Sequence, residues 1–233
     1  MYFDWTYIVL VLPAVFFALW ASARVNSTFA KYSKQRVYCG MTGAQAARMI
    51  LDANGLNDVR IERVSGNLTD QYDPRIKTVR LSEGVYDAAT TAAIGVAAHE
   101  CGHAVQDAQD YAPLRIRNAI VPITNIGSQL AMPLILIGIL FSYAGAMFTT
   151  VAYVGVACFA LSTLFQLITL PTEFNASNRA IAALESDGAL SREELAGSRR
   201  VLSAAALTYV AALAVSLMQL LRLVLLVRRS DRD

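Results

Sequence analysis

The chain has 233 residues, of which 55% are hydrophobic, with a mean hydropathy of +0.43 and a formal net charge of +2. These values exclude a simple soluble globule, a disordered chain, a collagen and a coiled coil. The small net charge, with no basic run interleaved with aromatics, also argues against nucleic acid as a partner. All 38 charged side chains lie outside three charge-free stretches, residues 5–23, 118–172 and 201–221. In the remaining 138 positions the charge density is ordinary for soluble sequence. Composition thus divides the chain into a lipid-soluble part and a water-soluble part. Cys39, Cys101 and Cys158 are odd in number and scattered, which implies no disulfide framework.

A membrane-crossing helix needs about 20 apolar residues. The first stretch fits one span, the third fits one, and the middle one fits two, near 130–148 and 151–170, after a lead-in at 118–129. Four spans are expected. Small residues at Gly138, Ala144, Gly145, Ala146, Gly155 and Ala157 either let these helices approach closely or face lipid as filler. Ala21-Ser22-Ala23 resembles a signal-peptidase site, but the charges around the first stretch are reversed for a signal. Asp4 precedes it, while Arg24, Lys31, Lys34 and Arg36 follow. The excess of basic residues in 24–117, 12 of 20, places that segment in the cytoplasm. The same rule conflicts with a fourth crossing, which would put Arg222, Arg228, Arg229 and Arg232 outside, so that helix either spans against the rule or is buried without crossing.

The water-soluble segment 25–117 reads as an α+β unit. Thr42-Gly43-Ala44-Gln45 is a capping box, and Asn54-Gly55 supplies a stop, predicting a helix of about 12 residues. Val59-Arg60-Ile61 and Lys77-Thr78-Val79-Arg80-Leu81 alternate as strands, with turns at 65–67 and 72–74 between them. Asp87 can cap a long helix from about Ala88 to Asp110.

That helix contains His99-Glu100-Cys101-Gly102-His103, the His-Glu-x-x-His pattern of zinc peptidases. On a helix the two histidines lie about 40° apart in azimuth and about 6 Å apart along the axis, so both can reach one ion. Glu100, about 100° around from His99, stands beside such an ion, where a general base belongs. The chain has only two histidines, and both are in this motif.

A catalytic zinc site needs a third protein ligand. No histidine remains, and residues 118–172 carry no carboxylate. Asp107 continues the His99, His103 stripe, but three ligands in one straight line span about 12 Å and cannot converge. Asp107 is read as a partner of a ligand or as solvated, and Asp110 as solvated. Glu173 is the first carboxylate after the middle stretch and is the expected third ligand, whereas Glu185, Asp187, Glu193 and Glu194 suit surface charges on a polar linker over Leu184–Arg200. Tyr72, Tyr111 and Arg179 are candidates for oxyanion stabilisation. The strand Lys77–Leu81 either offers an edge to an extended substrate or closes a small sheet.

The run Ala97-Ala98-His99-Glu100-Cys101-Gly102-His103-Ala104-Val105-Gln106, together with Pro171-Thr172-Glu173-Phe174-Asn175-Ala176-Ser177, resembles the YugP-like neutral zinc metallopeptidases of bacterial membranes. It is more remotely similar to HtpX-type membrane proteases, in which the Glu of a Glu-Phe/Tyr-x-Ala-Asp run completes the zinc site. Ser177 departs from that run, and Ser177, Asn178 or Asp107 is expected to fill the place of the missing Asp. The expected fold is a mainly α membrane protein with about four transmembrane helices and a small α+β zincin-like metalloprotease domain. Its segments are a first transmembrane helix (1–24), the cytoplasmic α+β domain (25–117), a transmembrane hairpin (118–172), a third-ligand helix and polar linker (173–200) and a final membrane helix with a basic tail (201–233). The resemblance implies a Zn2+-dependent endopeptidase of the bacterial inner membrane with its site on the cytoplasmic side, acting on protein or peptide substrates. A zinc-binding membrane scaffold without activity is the alternative.

Overall fold

The structure is a computed structural model that describes residues 5–230; Asp4 and Arg232, at the outer ends of the first and last expected segments, lie outside the described residues. The protein is a mainly α membrane protein with a small α+β part. Four helices are long and apolar enough to cross a membrane: Tyr7–Tyr32, Ala112–Leu140, Ala146–Asp187 and Arg192–Ser230. The first begins with a wide π-type turn, Tyr7–Val11, and continues as α1, Leu12–Tyr32. Two compact units divide the chain. One holds the residues up to Trp20, Ile116–Leu170 and those from Thr208 on; the other holds Ala21–Arg115 and Pro171–Leu207.

The first unit is a helical bundle. Helix α5, Ala112–Leu140, and helix α6, Ala146–Asp187, form its hairpin. The turn between them falls at 141–145, earlier than the sequence suggests, and the expected lead-in 118–129 is already helix. Gly145 explains the shift: its φ of 141° lies where side-chain-bearing residues are strained. Thr149 and Thr150, expected near the turn, stay helical, and the Thr150 hydroxyl donates to the Ala146 carbonyl at 3.2 Å. Gly138 and Gly155 do permit close approach. A Cβ at Gly155 would meet the Ile135 nitrogen at 2.8 Å, and one at Gly138 would run into the Ala152 backbone. Helix α7, Arg192–Ser230, joins the bundle through Leu223 and Val227, which pack with Ile135, Ala152 and Val156. Its Ser216 hydroxyl shares a 2.8 Å hydrogen bond with Thr163 of α6.

The second unit carries the α+β part. Helix α2, Gly43–Ala53, starts at the expected capping box, with Thr42 and Gln45 reciprocally bonded. Three strands follow, β1 Arg60–Val64, β2 Gln71–Asp73 and β3 Thr78–Ser82, in the order β1-β3-β2. β1 pairs with β3 in parallel and β2 with β3 antiparallel. The segment Lys77–Leu81, read either as an edge for substrate or as a strand closing a small sheet, is mostly the central strand: Thr78, Val79 and Leu81 are buried, and Thr78–Arg80 pair with β1 on one side and β2 on the other. β2 was expected as a turn; three residues are too few to display an alternating pattern.

A short helix α3, Glu83–Tyr86, leads to helix α4, Thr91–Ala108. Thr90 caps α4, accepting from the Ala93 nitrogen at 3.3 Å, while Asp87, the expected cap, pairs with Arg63 at 3.0 Å. The core of this unit places Ile94, Ala97, Ala98 and Cys101 of α4 against Ala46, Ala47, Ile50 and Leu51 of α2, Val79 and Leu81 of β3, and Ala180, Ile181 and Leu184 of α6. The stretch Leu184–Arg200, expected as a linker, is helical on both sides of a turn at 188–191. Glu194 is buried rather than solvated, because it accepts from the Ser191 nitrogen at 2.7 Å and the Tyr38 nitrogen, closing a capping box at the start of α7.

Candidate metal centre

Helix α4 positions the motif, and fourteen of its eighteen residues are buried, so its exposed face is narrow. His99 and His103 stand one turn apart with ring centroids 4.8 Å apart and planes at 83°. The partner segment is the end of α6 that follows Pro171. Proline has no N–H for the Leu167 carbonyl, so the helical ladder loses one bond just before Thr172. Glu173 is 2% exposed and faces the histidines. Its Oε2 lies 3.2 Å from His99 Nε2 and 3.6 Å from His103 Nε2. The approach of α6 requires Gly102, since a Cβ there would meet the Ala176 carbonyl oxygen at 2.5 Å.

The far nitrogens of both rings are held by neighbours. His99 Nδ1 lies 3.1 Å from Ser177 Oγ, so of Ser177, Asn178 and Asp107, the three candidates named from sequence, it is the Ser177 hydroxyl that stands beside this ring. His103 Nδ1 lies 3.0 Å from Gln106 Oε1. The Gln106 amide has only one consistent orientation, because its Nε2 donates to the Thr172 carbonyl at 2.8 Å and to Asn175 Oδ1 at 2.9 Å. Asn175 Oδ1 is in turn oriented by Arg179 Nε at 2.7 Å, and Arg179 Nη1 also donates to Gln109 Oε1 at 2.7 Å. Gln106 Oε1 is therefore an acceptor, and His103 Nδ1 must carry a proton. In the neutral ring, Nε2 then offers a lone pair toward Glu173.

Lone pairs converging on a carboxylate oxygen require a cation or a proton between them. In a tetrahedral zinc site with bonds near 2.0–2.2 Å, donor atoms are about 3.3–3.5 Å apart. The observed 3.2 and 3.6 Å bracket that range, and the donor atoms of His99, His103 and Glu173 all lie within 4.8 Å of one another. The donor set and the two distances to Glu173 fit zinc.

Glu100 follows His99 on α4, only 8% exposed, and its carboxylate makes no hydrogen bond among the described residues. Burial raises its pKa above the ordinary carboxylate value; His99 and His103 pull it back, and Glu173 and Asp70 push it further up. For His103, burial alone favours the neutral ring, but the hydrogen bond to Glu173 and the negative charge of Glu100 outweigh it, so its pKa is raised.

Other residues considered from sequence lie elsewhere. Asp107 accepts from the Tyr72 hydroxyl at 2.9 Å, tying α4 to β2, and burial followed by this bond raises the Tyr72 pKa. Arg179 stacks on Tyr111 with 5.9 Å from its guanidinium carbon to the ring centre, and its nitrogens hold Asn175 and Gln109. Glu185 pairs with Arg199 at 3.8 Å. The metal-capable cluster among the described residues contains none of Asp107, Glu185, Asp187, Glu193 or Glu194. Sequence reasoning did not find Gln106; its i+3 spacing from His103 was the available signal.

Fold and cluster together define a membrane protein with a site able to hold a metal between its two histidines and a buried glutamate. The chain belongs to the family described as "Putative neutral zinc metallopeptidase", which matches residues 7–228. It is 47% identical over 220 residues, 94% of this chain and 96% of the relative, to the "Putative membrane protease YugP" of Bacillus subtilis (strain 168). No solved structure matches it.

Proposed function

We propose that the protein is a zinc-dependent endopeptidase that hydrolyses peptide bonds of proteins at the membrane surface, with a role in membrane-protein quality control. His99, His103 and Glu173 hold the metal, and Glu100 is the general base. The observation that carries this reading is the geometry of the three donors, with both histidine rings braced from behind by Ser177 and Gln106. Bound there, zinc supplies a Lewis acid for the scissile carbonyl and lowers the pKa of a water toward about 7. The Glu100 carboxylate takes a proton from the attacking water and delivers it to the leaving amine nitrogen. An extended substrate adds to the free edge of β2, which Tyr72 and Asp107 tether to α4. Glu173 directly follows the charge-free stretch ending at Thr172, and residues 24–117 carry 12 of the 20 basic side chains. These features favour a site at the cytoplasmic surface of the bacterial inner membrane.

The test is cleavage of an unfolded casein by the detergent-purified protein. Chelation is expected to abolish cleavage and added zinc to restore it. Cleavage that resists chelation, or none in the zinc-loaded protein, would sink the proposal.

Zinc binding is also expected to strengthen with pH. Glu100 and His103 both have folded-state pKa values above their unfolded ones, about 4.3 and 6.5. Their contributions to the stability of the metal-free protein are therefore full below those unfolded values and are lost as pH rises through the folded ones. Zinc must displace the His103 proton, so the rise in melting temperature on adding zinc should be larger at pH 8 than at pH 6. A rise that does not change with pH would contradict His103 as a ligand.

A further inference from the structure

We propose a second binding site, distinct from the metal centre, for the phosphate headgroup of an anionic phospholipid in the pocket between α1 and the start of α7. The pocket has a volume of about 390 Å³ and is lined by Arg24, Ser27, Lys31, Tyr32, Arg200 and Ser203, with Ala204 and Leu207 among its apolar contacts. Three cations and the hydroxyls of Thr28, Tyr32 and Ser203 line it, while Ser27 donates to the Arg24 carbonyl at 3.0 Å, and no carboxylate is among the lining residues. That donor set matches a phosphodiester, which accepts charge-assisted hydrogen bonds and offers no donor in return. Tyr32 organises it, since its hydroxyl accepts from Arg200 Nη1 at 3.0 Å and its ring lies 5.4 Å from Lys31 Nζ. The aromatic ring thus holds two cations on one pocket while its own side chain is buried.

The position of these cations in the chain selects lipid over a soluble phosphate. Arg24 directly follows the charge-free stretch 5–23, and Arg200 directly precedes the charge-free stretch 201–221. Both belong to helices long and apolar enough to cross a membrane. Where such helices change from charged to uncharged is the headgroup level of a bilayer, and basic pockets between helices at that level bind anionic headgroups.

The full-length protein, reconstituted with phosphatidylcholine and phosphatidylglycerol, is extracted into detergent, and retained lipid is counted by native mass spectrometry. The wild type should retain phosphatidylglycerol in preference to phosphatidylcholine. Arg24→Gln combined with Lys31→Gln should reduce that preference by about 25-fold, at roughly fivefold per basic side chain. The charge-conserving pair Arg24→Lys and Lys31→Arg should keep it. Arg200 is left intact in these variants because it also bonds Tyr32. Inorganic phosphate or glycerol 3-phosphate at millimolar concentration should not displace the lipid; full displacement by either would make this a free-phosphate site and overturn the proposal. Equal retention of both lipids by the wild type would overturn it as well, whether or not the variants fold, and so would an unchanged preference in the folded double variant.

Discussion

Glu100→Gln is expected to keep one zinc per chain and lose cleavage. The side chain is not one of the three converging donors, so the metal should stay. The substitution is isosteric, and it removes a carboxyl whose charged form is disfavoured by burial, so the folded state should be unharmed or slightly stabilised. Only the proton transfer is removed. General-base catalysis contributes about 10²–10⁴-fold, so kcat/KM on casein should fall by that factor, about 3–5 kcal/mol in the barrier. Cleavage retained within about tenfold of wild type would mean that another group does this work. A zinc-loaded wild type without turnover would instead favour a silent metal-binding scaffold.

The second large effect is on the metal itself. Glu173→Ala and His99→Ala are each expected to leave the purified protein with little zinc after dialysis, against one equivalent for wild type. A structural zinc site is worth about 10–16 kcal/mol in all, and losing one donor of the set should weaken binding by roughly 10²–10³-fold or more. Glu185→Ala is the matched control, because Glu185 pairs with Arg199 at the surface and should not alter zinc content. Zinc retained at wild-type affinity by Glu173→Ala would remove Glu173 from the ligand set.

The three residues that the structure brings together, His99, His103 and Glu173, were each singled out by the sequence. His99 and His103 are the only histidines in the chain, and their spacing suits one face of a helix. Glu173 emerged because the 55 residues before it carry no carboxylate. The residues that brace the histidines were harder to see. Gln106, Asn175 and Arg179 are ordinary polar residues on helices, and their partnership depends on α4 and α6 meeting at Gly102 and Ala176, a contact no local pattern encodes. Ser177 stood among three candidates, and only the packed structure places its hydroxyl beside His99. In the fold, helices with strong signals were legible, including the Thr42 cap. The hairpin turn was misplaced because hydropathy does not register the φ that Gly145 supplies. The middle position of β3 was missed because β2 is too short to announce itself, and burial of Glu194 because a capping carboxylate looks like any surface charge.

The interval between His103 and Glu173 has a consequence for biosynthesis. Glu173 is added 70 positions after His103. At about 5–20 residues per second, a growing chain exposes the two histidines for several seconds before the glutamate exists. On the proposed reading, the nascent enzyme is inert throughout that time, since two donors cannot form the centre and Gln106 has no Thr172 or Asn175 to orient it. Activation then waits on folding of the α5–α6 hairpin. Translation order alone would protect the ribosome-bound chain and its neighbours from premature cleavage.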